Sequence, residues 1–305
     1  MSERQPIGAT AMGLAAVVLW GSSVAFIRTV SEQVGPFSTA AFTYLFAGVV
    51  SLGAAGLAPG GLGRFRDLPR KYLWGCGGLF VAYTACFYLT VGLAADRSQV
   101  LEVGLINYLW PSLTLLLAVP LQGHRARWFL LPGMLVATAG VVVATSQQGG
   151  LSLAGFAANA QANWVPYGLA LAAAITWALY SNLARRWGGE GGGVPLFLLA
   201  SGLALLPLRL VFGESSLWSP RAVGEFLYLG LFTTVAAYGF WDHAMRKGDM
   251  VLVAAFSYFT PLFSTLVSVI WLDVTPGAAI WVACALVIAG ALTCRLAVVE
   301  KRSRA

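Results

Sequence analysis

A chain of 305 residues that is 58% hydrophobic and only 10% charged is too apolar to fold as one or two soluble domains of that length. Its net charge of +7 would suit a nucleic-acid partner, but the cations are distributed in a way that excludes one. With the N-terminus in the cytoplasm, fifteen of the nineteen Lys and Arg fall in inner segments, and only Arg28, Arg97, Arg209 and Arg221 fall outside.

Windows of about 20 residues, the length that crosses a hydrocarbon core, give ten candidate helices. They run 8–27, 36–57, 72–93, 98–120, 128–145, 164–184, 194–213, 223–245, 250–272 and 276–297. Lipid cannot satisfy an open strand edge, and the segments lack the period-2 alternation of a membrane barrel. The expectation is an all-α, multi-pass protein of the cell inner membrane with both termini cytoplasmic. Its partners are the lipid bilayer and a small molecule; the oligomeric state stays open, and a monomer is compatible with the sequence.

The first apolar run is nearly as long as a span and no small-residue cleavage site follows it, so it reads as a retained helix and not a signal peptide. It carries Trp20, Gly21, Ser22 and Ser23 before Arg28. Residues 58–71, APGGLGRFRDLPRK, form a cationic inner loop. Helix 3 gives Tyr83, Phe87 and Tyr88, and helix 4 gives Glu102, Asn107, Tyr108, Trp110 and Pro111. Helices 5 and 10 are rich in small residues, among them Gly140 and Gly290, and read as scaffold. The uncharged stretch 146–163 is expected on the outer face, either mobile or as an irregular segment along the interface.

Helix 6 carries Trp177, Tyr180, Ser181 and Asn182, and GGEGGG at 188–193 punctuates the inner side without the Lys-Ser/Thr of a phosphate loop. Helix 8 gives Tyr238, Trp241, Asp242 and His243, and helix 9 gives Ser257, Tyr258 and Pro261. Trp128, Trp164, Trp187, Trp218 and Trp281 stand at span ends, where interfacial belts form. Cys76, Cys86, Cys284 and Cys294 lack CxxC spacing and read as small buried residues; no metal or cofactor site is expected.

RSQVLEVGLINYLWP at 97–111 recurs as KGDMVLVAAFSYFTP at 247–261, an offset of 150 that also pairs Tyr88 with Tyr238 and Gly140 with Gly290. Trp20 and Trp177 correspond at 157. Each half holds five helices, and an odd number makes the second copy enter the membrane from the opposite side: two inverted five-helix repeats. The expected division is 1–145 for the first repeat, 146–163 for the linker, 164–297 for the second repeat and 298–305 for a basic tail.

Function is expected between the halves. Pro111 and Pro261 each free the carbonyl of residue i−4, Asn107 and Ser257, near the bilayer middle, and are read as hinges flanking a cavity. The mid-span residues Trp20, Tyr83, Tyr88, Asn107, Tyr108, Trp177, Tyr180, Tyr238, Trp241, Ser257 and Tyr258 are the candidate substrate contacts. Glu102, Asp242 and His243 are candidates for a proton or charge role. A local ion pair is the competing reading for both acids, since Arg97 and Arg246 are near them.

WDHAMRKGDMVLVAAFSYFTPLFSTLVSVIWLDVTP, followed by ALVIAGALT, resembles the repeat of the drug/metabolite transporter superfamily, in particular its ten-helix EamA-type exporters, and LWGSSVAFIR resembles their opening helix. Leu272–Asp273 stands where that repeat has Gly-Glu, so no role is carried over to that acid. The number and placement of aromatics resemble the aromatic amino acid exporters of the YddG type. The resemblance implies a secondary exporter of amphipathic metabolites, chiefly amino acids, and no enzyme. A multidrug or nucleotide-sugar carrier is the alternative within the superfamily, and a membrane-embedded lipid-modifying enzyme the alternative outside it.

Overall fold

The computed structural model describes residues 7–146, 153–189, 191–272 and 278–299. The first half runs α1 (Ile7–Val34), α2 (Pro36–Leu57), a π-helical turn (Lys71–Cys76) leading into α3 (Gly77–Gly92), α4 (Arg97–Asn107), α5 (Trp110–Gln122) and α6 (Leu130–Ser146). After α7 (Leu153–Ala162), the second half runs α8 (Val165–Trp187), α9 (Val194–Val211), α10 (Pro220–Tyr228), a π-helical stretch (Leu229–Ala236), α11 (Ala237–Lys247), α12 (Met250–Phe256), α13 (Thr260–Leu272) and α14 (Ala278–Ala297).

Among the described residues six helices are long and apolar enough to cross a bilayer. The bent helix α1 is a seventh, and Leu130–Val143, Met250–Ser264 and Trp281–Ala297 are shorter apolar stretches. The protein is an all-α membrane protein.

Three elements differ from the sequence expectation. Helix α1 does not stop near Arg28 but continues to Val34, bent by 49° between Ser23 and Phe26. The part of the outer stretch that is described, Leu153–Ala162, is a helix and not an irregular segment. It docks Phe156 and Ala160 against Val103, Tyr167 and Ala170, so apolar burial repays its ordering. In the tail, Val298–Val299 pairs antiparallel with Arg125–Ala126. Asp273 and the residues after Val299 lie outside the described residues.

The packing is reciprocal between the halves. α2 lies on α9 and α6 on α14, α3 packs on α8 as α11 packs on α1, and α5 meets α8 as α13 meets α1. At both self-paired crossings glycine brings backbones together. A Cβ on Gly48 or Gly202 would come within 3.0 Å of the backbone nitrogen of Leu199 or Leu45, and one on Gly140 or Gly290 would do the same to Val287 or Ala137. The two halves, packed in this exchange-symmetric way, leave a space between α1, α2, α3, α4, α8 and α11.

Candidate functional site

That space is a cavity of about 300 Å³. Nine aromatic side chains wall it: Trp20, Tyr44, Tyr83, Phe87, Tyr88, Tyr108, Trp110, Trp177 and Tyr238. Among the described residues no Asp, Glu, Lys, Arg or His belongs to the wall. The lining reaches the first turn of α2 at Thr39, the last turn of α3 at Thr90 and Val91, and the first turn of α4 at Val100. In the other direction it stops at Trp20, Trp110, Trp177 and Thr260. The cavity is therefore displaced toward the face where α2 begins.

Trp20, Tyr44, Tyr83, Phe87, Tyr88, Trp110, Trp177 and Tyr238 each lie against another ring of the wall. The π-helical stretch Leu229–Ala236 leaves the Thr233 carbonyl able to accept from Trp20 Nε1 at 3.1 Å, which fixes the indole. Trp177, opposite, meets Trp20 edge-on at 5.6 Å between ring centroids and lies 4.6 Å from Tyr83. Tyr44 and Tyr238 share a hydroxyl hydrogen bond of 2.5 Å. The wall is thus built of rings locked by their neighbours.

Of the sequence-derived candidates, Trp20, Tyr83, Tyr88, Asn107, Tyr108, Trp177 and Tyr238 line the cavity. Four lie outside it. Trp241 is buried directly behind the wall, its ring centroid 5.8 Å from Trp177 and its Nε1 donating to Ser181 Oγ at 3.1 Å. Tyr180 donates its hydroxyl to Asp242 Oδ1 at 2.9 Å. Ser257 turns its hydroxyl back onto the Val253 carbonyl at 2.9 Å, and Tyr258 shares a 2.5 Å bond with Ser112 Oγ.

The two proline sites also differ from expectation. Both prolines are buried, and neither borders the cavity. The carbonyl of Ser257 is not left for a ligand, because the Thr260 hydroxyl donates to it at 2.8 Å. At the first site α4 ends at Asn107 and α5 begins at Trp110, and both of these residues reach the wall. The Asn107 Oδ1 atom is buried without a hydrogen-bond partner.

The candidate charge groups are all outside the cavity. Glu102, 1% exposed, sits on the far side of α4, where Tyr167 Oη and Asn159 Nδ2 donate to its carboxylate. Val100, Val103, Gly104 and Asn107 form the opposite stripe of that helix and face the cavity. Asp242 lies beneath Trp241 and accepts from Tyr72 Oη at 2.8 Å, from Tyr180 and from Arg246. His243 is half-buried on the same helix and does not reach the wall.

Sequence reasoning missed α2, which supplies Thr39, Thr43 and Tyr44, and the hydroxyls Thr233, Thr234 and Thr260. The available signal was a polar stripe at i, i+4 in an otherwise apolar helix.

A membrane-spanning helical duplication around an aromatic chamber that is uncharged among the described residues defines a carrier for a small amphipathic molecule. The model of the EamA-like transporter family matches this chain twice, at residues 7–146 and 164–295, and the chain belongs to that family. Its relatives include the aromatic amino acid exporter YddG of Salmonella typhimurium, 33% identical over 290 residues that cover 95% of this chain and 97% of the relative. The protein of the same name from Escherichia coli is 33% identical over 289 residues, with the same coverage. That from Ancylobacter novellus is 34% identical over 293 residues, covering 94% of this chain and 97% of its own. A solved crystal structure superposes with a TM-score of 0.79 at 31% identity, over 94% of this chain and 96% of the other.

Proposed function

We propose that this protein exports amino acids, aromatic ones foremost, from the cytoplasm across the inner membrane by alternating access. The observation that carries the reading is the chamber itself. Nine rings offer stacking and burial to an apolar side chain, and a wall with no cation among the described residues gives nothing to the phosphates of a nucleotide sugar. The names of the exporters it resembles agree with that chemistry.

The cation distribution puts the α2 N-terminal face outside and both termini in the cytoplasm, so the conformation described is closed to the cytoplasm. Its inner seal is built by Tyr72, Tyr180, Asp242 and Arg246 beneath the aromatic floor. Export requires that seal to open while the outer rim closes, with the two halves exchanging roles about the buried prolines.

The test is counterflow. Proteoliposomes preloaded with unlabelled tryptophan should accumulate labelled tryptophan faster than matched vesicles accumulate threonine, and should not accumulate a cationic dye. Accumulation of the dye alone would overturn the assignment.

A further inference from the structure

An uncharged chamber sets a problem for an amino acid, whose ammonium and carboxylate must give up water as the walls close. Several hydroxyls of the wall are already turned back onto nearby backbone carbonyls. Ser23 Oγ donates to the Trp20 carbonyl at 2.7 Å, Thr233 Oγ1 to the Leu229 carbonyl at 2.9 Å, and Thr260 to Ser257.

Three others are different. Thr39 Oγ1, Thr43 Oγ1 and Asn107 Oδ1 are buried with no hydrogen-bond partner, on residues only 2%, 5% and 8% exposed. Thr39 and Thr43 stand one turn apart on the same face of α2, and Asn107 stands at the α4–α5 interruption. A buried polar atom without a partner costs stability unless something else satisfies it. Three such atoms on the residues of one cavity are polar groups that a ligand could satisfy.

We propose that Asn107 and the Thr39–Thr43 pair are the specificity-determining groups for the head of the substrate. The Asn107 Oδ1 atom accepts from the α-ammonium, and the two threonine hydroxyls donate to the α-carboxylate, directly or through a bridging water. The two substrate charges compensate each other, in keeping with a wall in which no described residue is charged. The consequence is a selectivity rule: the transported species is a net-neutral zwitterion. An aromatic amine or an aromatic acid of the same size brings one unpaired charge into a space where no described residue offers a counter-ion, and is rejected. The inference rests on the transport reading above and adds the charge state of the substrate to it.

The experiment is counterflow of labelled phenylalanine in proteoliposomes of the full chain, competed by unlabelled phenylalanine, phenethylamine or 3-phenylpropionate. Phenylalanine should compete at least about tenfold better than either analogue, the scale of losing a hydrogen bond to a charged group. The isosteric double variant Thr39→Val/Thr43→Val should raise the half-saturating phenylalanine concentration by about tenfold. Asn107→Asp is the most diagnostic, since it puts a carboxylate where the ammonium sits: phenethylamine should become an effective competitor. Equal competition by the charged analogues in the unaltered protein, an unchanged half-saturation in the threonine double variant, or no gain for phenethylamine with Asn107→Asp would each overturn this inference and leave transport standing. No phenylalanine counterflow at all would instead remove the transport reading, and this inference with it.

Discussion

Arg246 reaches back one helical turn to Asp242, its Nε 2.8 Å from Oδ2, and the two side chains are only 5% and 2% exposed. An i,i+4 pair on a surface helix contributes a few tenths of a kcal/mol; this one is buried and does more than join one turn to the next. Asp242 Oδ1 also accepts from Tyr72 and Tyr180, while Arg246 Nη1 donates to the Gly189 carbonyl at 3.1 Å and Gly193 N donates to Tyr72 Oη at 3.0 Å. The pair therefore ties together the start of the third span, the end of α8, the start of α9 and α11, on the side away from the chamber.

Asp242→Ala should be severe, because it leaves a guanidinium buried without its carboxylate, a change that costs about 3 to 5 kcal/mol. Thermal unfolding in detergent should show the loss directly. Asp242→Asn keeps the shape and weakens only the charge. In that variant Cys76, which is one turn beyond Tyr72 and fully buried, should become reactive to a maleimide in a background lacking the other three cysteines. Unchanged protection of Cys76 would show that the network does not hold this side shut.

Glu102 faces α7 and not the chamber, so the structure gives it the work of a brace. Gln99 belongs to the same fastening, with Nε2 donating to the Asn163 carbonyl at 3.2 Å and Oε1 accepting from Asn163 Nδ2 at 3.0 Å. Glu102→Gln should leave the pH profile of transport unaltered, while Asn159→Ala should raise hydrogen exchange across Leu153–Ala162. A pH profile that flattens in Glu102→Gln would return the proton role to this carboxylate.

Trp20→Phe keeps a ring in the wall but strands the Thr233 carbonyl, whose indole donor stands 3.1 Å away. Leaving one acceptor unsatisfied is worth about 1 to 3 kcal/mol, so thermal stability should fall and the half-saturating concentration of an aromatic substrate should rise severalfold. Trp218→Phe, at a partly exposed span end, removes an indole with no such wall position and should do neither.

The span pattern and the duplication were legible because lipid leaves the chain few choices: apolar length and a repeat that holds at 150 residues from Tyr88 to Gly140 carry over to breaks between Asn107 and Trp110 and between Phe256 and Thr260. The site was legible only in part, and the repeat is the reason. Tyr108 and Asn107 border the chamber while their counterparts Tyr258 and Ser257 are closed off against Ser112 and Val253. Two copies that match in sequence occupy opposite ends of an inverted pair, and a cavity displaced toward one face reaches only one of them. Tyr44, Thr43 and Thr39 escaped notice for the converse reason, since α9 has no polar stripe to echo them. Likewise Trp187 stands at a span end like a belt residue, yet it packs half-buried over Gly75, a contact between distant turns that no local pattern records.

The glycine crossings make the exchange symmetry measurable. Gly48 meets Leu199 as Gly202 meets Leu45, and the two glycines and the two leucines correspond at the same spacing in the chain. Neither position has room for a Cβ, so Gly48→Val and Gly202→Val should each force the same two helices apart and lower the unfolding temperature by similar amounts. Because both substitutions act on a single interface, the double variant should lose less than the sum of the two: once the helices have separated, the second side chain finds space already made. Strict additivity in the unfolding free energies would mean that α2 and α9 accommodate each residue locally, without the helices moving apart.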